Sequence, residues 1–178
     1  SAIDGLLTLM CKHQIKAKNI GAVEVSTFDR AVNLGNHLVP TNEVEAQFSI
    51  PFCLAAVTLK GVQALTPLDK KLIGDPSITK FTKKVKIKKN LKMEEMFPAK
   101  APAIVKVEHL DGVNEIIIDA AFGDPTSPMT RADLQDKFAV FSKGILSEKK
   151  VSSIIRIMNN FSSLRNKTPT NLFNSIRL

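Results

Sequence analysis

The sequence contains no tryptophan and no tyrosine, two cysteines and three histidines. Each shortage narrows the chemistry. Without Trp or Tyr the chain has few rings on which nucleic-acid bases can stack, and no phenolic hydroxyl to act as an acid. Cys11 and Cys53 make no disulfide framework. Both lie in apolar, helix-like contexts and are expected to be buried thiols. A reducing, intracellular compartment, cytoplasmic or mitochondrial, is the matching expectation. His13, His37 and His109 are far apart in sequence. None stands at metal-ligand spacing from another His, Cys, Asp or Glu, and C-x-x-C and H-E-x-x-H are absent, so no metal is expected. The G-x-S-x-G elbow, the phosphate loop and the G-x-G-x-x-G turn are missing too. No apolar run approaches the ~20 residues that span a bilayer; the longest weakly polar stretch, Phe48 to Leu59, is shorter and contains Pro51. The first residues, Ser1-Ala2-Ile3-Asp4, show no basic region or cleavage site and open directly into an amphipathic pattern. They read as the start of a fragment.

What is present fits an ordinary globular domain. A chain of 178 residues suits one domain, here expected over 1–160, with a polar tail over 161–178. The net charge of +8 raises the question of an acidic partner. The excess is local: Lys80, Lys83, Lys84, Lys86, Lys88, Lys89 and Lys92 fall in one short stretch. As a nucleic-acid patch it has the cations but only Phe81 and Phe97 nearby for stacking. As a strand edge, alternate lysines are a device against unwanted pairing. The second reading is preferred, and nucleic acid is not an expected partner.

Periodicity predicts the elements. Ile3, Leu6, Leu7, Met10 and Cys11 share a helix face over 2–16. Residues 22–27 alternate like a strand. Asn42 with Glu45 makes a box-like start for a helix running to Lys60 and Gly61, apolar nearly all round, with Pro51 as a kink or break. Phe48, Ile50, Leu54, Ala55 and Val57 should be buried there. Short helices are expected near 66–73 and 76–83, with Pro67 and Pro76 in first turns. Residues 84–89 alternate lysine with apolar side chains and predict a strand. Residues 103–110 and 113–118 predict a hairpin turning at Asp111-Gly112. Thr130 caps a helix carrying Leu134, Phe138, Val140 and Phe141. A last helix over 147–161 puts Val151, Ile154, Ile155 and Met158 on one face. The fold class is α+β, a two-layer sandwich whose mostly antiparallel sheet has helices packed on one face.

Few residues invite a chemical role. His13 sits beside Lys12 on a solvent-facing helix, and His109 reads as a surface strand residue. His37 lies in an irregular segment, where functional groups concentrate. Gly123-Asp124-Pro125 reads as a turn from strand to helix.

Several stretches, in order, resemble the MmgE/PrpD family. Ser1-Ala2-Ile3-Asp4-Gly5 with Leu6-Leu7-Thr8-Leu9 is similar to a family helix. Pro40-Thr41-Asn42, then Ala46-Gln47-Phe48-Ser49-Ile50-Pro51-Phe52, is similar to the signature P-T followed by A-(K/Q)-F-S-I-P-Y. The strand pair around Leu110-Asp111-Gly112 is a third match. Gly123-Asp124-Pro125, Pro128-Met129-Thr130 and Lys137-Phe138 are a fourth. Together they cover about residues 1–145.

The resemblance implies the smaller C-terminal domain of a two-domain enzyme, lidding a cleft in a large helical domain. The family includes 2-methylcitrate dehydratases, cis-aconitate decarboxylases and iminodisuccinate epimerases. Its chemistry is proton abstraction next to a carboxylate, without a cofactor in most members. The acid/base groups are implied to lie in the helical domain, so no catalytic residue is carried onto this chain. His37, Gln47 and Ser49 are the candidates to face the cleft. Phe52 replaces the usual tyrosine of the signature. The implied partners are the helical domain, in the same or another chain, a small di- or tricarboxylate, and a second copy in a homo-oligomer; no membrane is expected. A non-catalytic remnant or binding module is the alternative.

Overall fold

A computed structural model describes residues 1–160 as two compact units, one over Ser1–Pro128 and one from Met129 onward. The sheet lies in the first. Strands β1 (Ile20–Thr27), β2 (Val85–Lys89), β3 (Ala103–His109) and β4 (Gly112–Ile118) stand in the order β2-β1-β3-β4. Alternation decides the faces. Val23, Val25 and Thr27 of β1 are buried, as are Ala103, Val105 and Val107 of β3, while the residues between them reach solvent. Helices α1 (Ala2–Lys12) and α4 (Ile50–Lys60) close the buried side. Leu6 and Leu9 from one, and Phe52, Leu54 and Ala55 from the other, share a core cluster with the strands. The opposite face carries a row of alternating charge in register across all four strands, Lys86, Glu24, Lys106 and Glu115. Such a row suits water rather than a second layer.

The sheet is mixed rather than wholly antiparallel. β3 runs antiparallel to β1 and to β4, but β2 runs parallel to β1. The crossover between β1 and β2 contains α2 (Asp29–Val32), α3 (Glu43–Gln47), α4 and α5 (Pro76–Thr82). A long helical connection of that kind returns the chain in the same direction. β2 is an edge strand, as its lysines suggest. Lys88 pairs with Glu24 at 2.5 Å, and Lys89 with Asp29 at 3.0 Å.

The helix expected over 42–60 is two helices. Asn42 caps α3 by accepting from the Glu45 amide, and Ser49 caps α4 by accepting from the Phe52 amide, with Pro51 in the first turn. The break turns Phe48 out to solvent, against the expectation that it is buried; Ile50 is half-buried. α1 is shorter than expected because the chain reverses at Gln14, φ 52°, to bury Ile15. Cys11 is exposed, so only Cys53, half-buried, approaches the expected inert thiol. Pro76 occupies the first turn of α5, capped by Asp75, whereas Pro67 precedes a single 3-10 turn at Lys70–Leu72. A short helix, α6 (Leu91–Met96), follows β2 under an Asn90 cap and was not expected.

The hairpin turns one residue earlier than its Asp-Gly signal suggests. Its loop is Leu110-Asp111, and Gly112, φ 131°, opens β4 opposite His109. His109 is no surface group: its side chain is only 5% exposed, and Nε2 lies 2.7 Å from Asn114 Oδ1. Gly123-Asp124-Pro125 is a turn, closed by the Gly123 amide on the Ser127 carbonyl at 2.8 Å.

The second unit holds α7 (Arg131–Ser142) and α8 (Glu148–Asn159). Thr130 and Asp133 form a reciprocal capping box for α7. Ser147 caps α8, and Arg131 donates to the Met158 carbonyl at 3.3 Å. Ile154 is buried and Val151 and Ile155 half-buried, but Met158, in the last turn of α8, is exposed. The expected tail over 161–178 lies outside the described residues.

Candidate functional site

A cleft of about 260 Å³ opens in the first unit at the C-terminal end of β1. Separate stretches of chain meet there. They are the start of α1, the passage from β1 through α2 to Leu34, the junction of α3 with α4, and residues 101–103 entering β3. The walls are mostly apolar, which is usual for a small-molecule site.

The polar groups in it are few, and most have structural partners. Ser1 Oγ donates to the Ala101 carbonyl at 2.5 Å, and Thr27 Oγ1 to the Pro102 carbonyl at 2.7 Å. These two bonds strap the strand entering β3 to α1 and β1. The Cys53 thiol lies 3.5 Å from the Ala46 carbonyl. Burial pushes its pKa up to about 11, so at neutral pH it is a protonated thiol and a poor nucleophile. No Asp, Glu, His, Lys or Arg lines the cleft. The side chains of the cleft therefore include none that exchanges a proton near neutral pH.

The three residues singled out in the sequence fall in three different places. Gln47 lines the cleft and is exposed. Ser49 does not line it; fully buried, it donates to the His37 carbonyl at 2.6 Å and caps α4. His37 contributes that carbonyl from an exposed loop position, and its ring is not part of the cleft wall. The carboxylate of Glu45, near His37, is held below the usual range, chiefly by the Thr41 amide and hydroxyl.

Sequence reasoning missed Asn36. Its Nδ2 donates to the Ala31 and Val32 carbonyls at 2.9 Å each, and its Oδ1 accepts from the Ile50 amide at 3.0 Å. One side chain thus ties the end of α2 to the start of α4, the two elements that flank the cleft. Asn36 adopts φ 41° and Gly35 φ 93°, two successive left-handed residues. The Gly-Asn pair was the available signal, since these two residues tolerate that conformation best.

Among the described residues no group of three His, Cys, Asp or Glu side chains is placed to hold a metal ion, and no helix is long and apolar enough to cross a membrane. Compared with known families, residues 1–163 match the model of the MmgE/PrpD C-terminal domain. No curated protein matches the sequence.

Proposed function

The chain belongs to the MmgE/PrpD family, as its C-terminal domain, and from that premise we propose that it is the lid of a lyase or isomerase acting on a di- or tricarboxylate. The observation that carries this reading is the chemistry of the cleft: mostly apolar, and without a titratable side chain active near neutral pH. Abstracting a proton next to a carboxylate needs a positioned base, an acid for the leaving group, and cations or donors to hold developing charge. The side chains of this wall supply neither of the first two. It supplies apolar surface to exclude water, and the Gln47 amide as a neutral hydrogen-bonding group. The helical domain of the enzyme brings the base, the acid and the cations, and no cofactor is needed. The reaction is dehydration, decarboxylation or epimerisation. The net charge of +8 favours the approach of polyanionic substrates.

The test is to assay the purified chain with 2-methylcitrate, cis-aconitate and iminodisuccinate, alone and after adding the helical domain of a relative. Turnover only on mixing is the expected result. Turnover by the chain alone, abolished by replacing His37, would overturn the lid reading.

A further inference from the structure

The parallel pairing of β1 with β2 gathers positive charge at one end of the sheet. No acidic residue occurs between Asp4 and Glu24, and none between Asp75 and Glu94. The first stretch runs from α1 into β1, the second from α5 into β2. Because the two strands are parallel, both stretches arrive at the same end. Lys12 ends α1, and Lys16 and Lys18 lie between α1 and β1. Lys80 is in the last turn of α5, and Lys83 and Lys84 lie between α5 and β2. Lys84 joins the two stretches by donating from Nζ to the Ile20 carbonyl at 2.5 Å.

Ordinary roles account for only part of this cluster. Protection of a strand edge applies to Lys86, Lys88 and Lys89, which stand on β2 itself. Lys12, Lys80 and Lys83 stand at helix C-termini, where cations are favoured. Lys16 and Lys18 are exposed and have neither role. Lys12, Lys16, Lys18, Lys80, Lys83 and Lys84 form no ion pair with a carboxylate among the described residues. Glu108 and Asp111, on β3 and in the hairpin loop, each stand beside a basic group, Lys106 at 3.9 Å and His109 at 3.8 Å.

An independent feature lies at the same end. The Leu110 amide donates to the Asn19 carbonyl at 3.3 Å, which sets the tip of the β3–β4 hairpin against the residue that follows Lys18. Leu110 is 79% exposed, more than any other large apolar side chain among the described residues. An apolar tip beside unpaired lysines fits an anionic bilayer surface: the cations meet the headgroups and the leucine enters the boundary beneath them. Nucleic acid fits less well. Both stretches lack arginine, tryptophan and tyrosine, Phe81 is buried, and a phosphate backbone has no place for an exposed leucine. The cleft lies at the other end of β1. Eight residues of strand span about 25 Å, well beyond the ~8 Å over which physiological salt screens exposed charges. A ligand in the cleft therefore does not account for the cluster.

We propose that this end of the sheet, with Lys12, Lys16, Lys18, Lys83 and Lys84 around Leu110, is a docking surface for an anionic lipid bilayer. Such docking needs no membrane-spanning helix, and it does not rest on the lid reading. The test is sedimentation of the full chain with vesicles of phosphatidylcholine alone and of an equal mixture with phosphatidylserine, at low and physiological salt. The variants are Lys18→Glu with Lys83→Glu, one from each stretch; Leu110→Ser; and, as a control with the same change in net charge, Lys92→Glu with Lys137→Glu. Lys92 and Lys137 are exposed and lie outside the cluster. Circular dichroism and urea unfolding check that each variant is folded. The expected result is binding to the anionic vesicles alone, weakened by salt. The Lys18–Lys83 pair of changes should weaken it at least about tenfold and Leu110→Ser about threefold, with the control like wild type. No wild-type binding to anionic vesicles overturns the proposal. So does an equal loss in the control, which makes the attraction one of net charge, or wild-type affinity in Leu110→Ser. Binding to duplex DNA tighter than to the vesicles and indifferent to Leu110→Ser makes nucleic acid the occupant and also overturns it.

Discussion

Gly5 on α1 lies so close to Val105 on β3 that a Cβ at position 5 would stand 2.6 Å from Val105 Cγ2 and 3.3 Å from Ile118 Cγ1. The absence of a side chain sets how near the helix approaches the sheet. Gly5→Ala should therefore destabilise the chain, although alanine is the better helix former by about 1 kcal/mol. Overpacking of this kind costs about 1–3 kcal/mol. Urea unfolding should show the loss. The pair Gly5→Ala with Val105→Ala should remove the clash, so its loss should fall short of the sum of the two single losses. Additive losses would show that the contact does not govern the approach.

Two apolar residues six positions apart should behave in opposite ways. Leu54 is completely buried in α4, and Leu54→Ala should lose about 2–5 kcal/mol. Phe48 is half in solvent, and Phe48→Ala should change the stability of the isolated chain by less than about 0.5 kcal/mol. Equal effects in urea unfolding would contradict the break between α3 and α4.

Asn36 makes three hydrogen bonds from a left-handed backbone. Asn36→Ala removes the bonds and leaves alanine in a strained conformation, and should lose about 2–4 kcal/mol. Asn36→Gly keeps the conformation and loses only the bonds, so it should be the milder change. An equal or greater loss for glycine in urea unfolding would place the whole effect in the side chain.

Cys53 should make stability fall in alkali. Its pKa is raised from 9.0 to about 11 because burial penalises the thiolate. A folded-state pKa above the unfolded one means that the folded chain holds the proton more tightly. The contribution is complete below pH 9 and is lost as pH rises through 11. Lysines titrate in the same range, so the quantity to measure is the difference in unfolding free energy between wild type and Cys53→Ala at pH 8 and at pH 10.5. That difference should shift against the wild type at the higher pH. Thiol reagents at pH 8 should label exposed Cys11 fast and Cys53 slowly.

Local signals carried most of the fold into the sequence. Asn42, Pro76, Thr130 and the strand pair around Gly112 each mark an element by chemistry confined to four or five residues. Asn90 was an equally good cap signal, but the helix below it is only six residues long and shows no full period of apolar side chains. What stayed hidden depends on distant pairing. Nothing in the alternating lysines of β2 tells whether it joins β1 in parallel. His109 looked like surface because the partner of its ring, Asn114, stands across the hairpin. Phe48 looked like core because one apolar pattern runs through two helices, and only the Ser49 cap shows where the axis changes. The cleft was the least visible of all. Its walls come from separate stretches of chain, and no single stretch carries the pattern of a site.

The central strand β1 has a further consequence, for the order of events in synthesis. Val23 needs Val85 on one side and Val107 on the other before both edges of its strand are paired. Both partners leave the ribosome long after β1 does. Until then the N-terminal stretch has a strand with buried valines and no sheet to place it in. The β3–β4 hairpin, whose contacts are local, can form as soon as it emerges and offer a template onto which β1 adds. A nascent chain stopped before β3 should thus remain open to proteases and chaperones, and one that includes β4 should close abruptly.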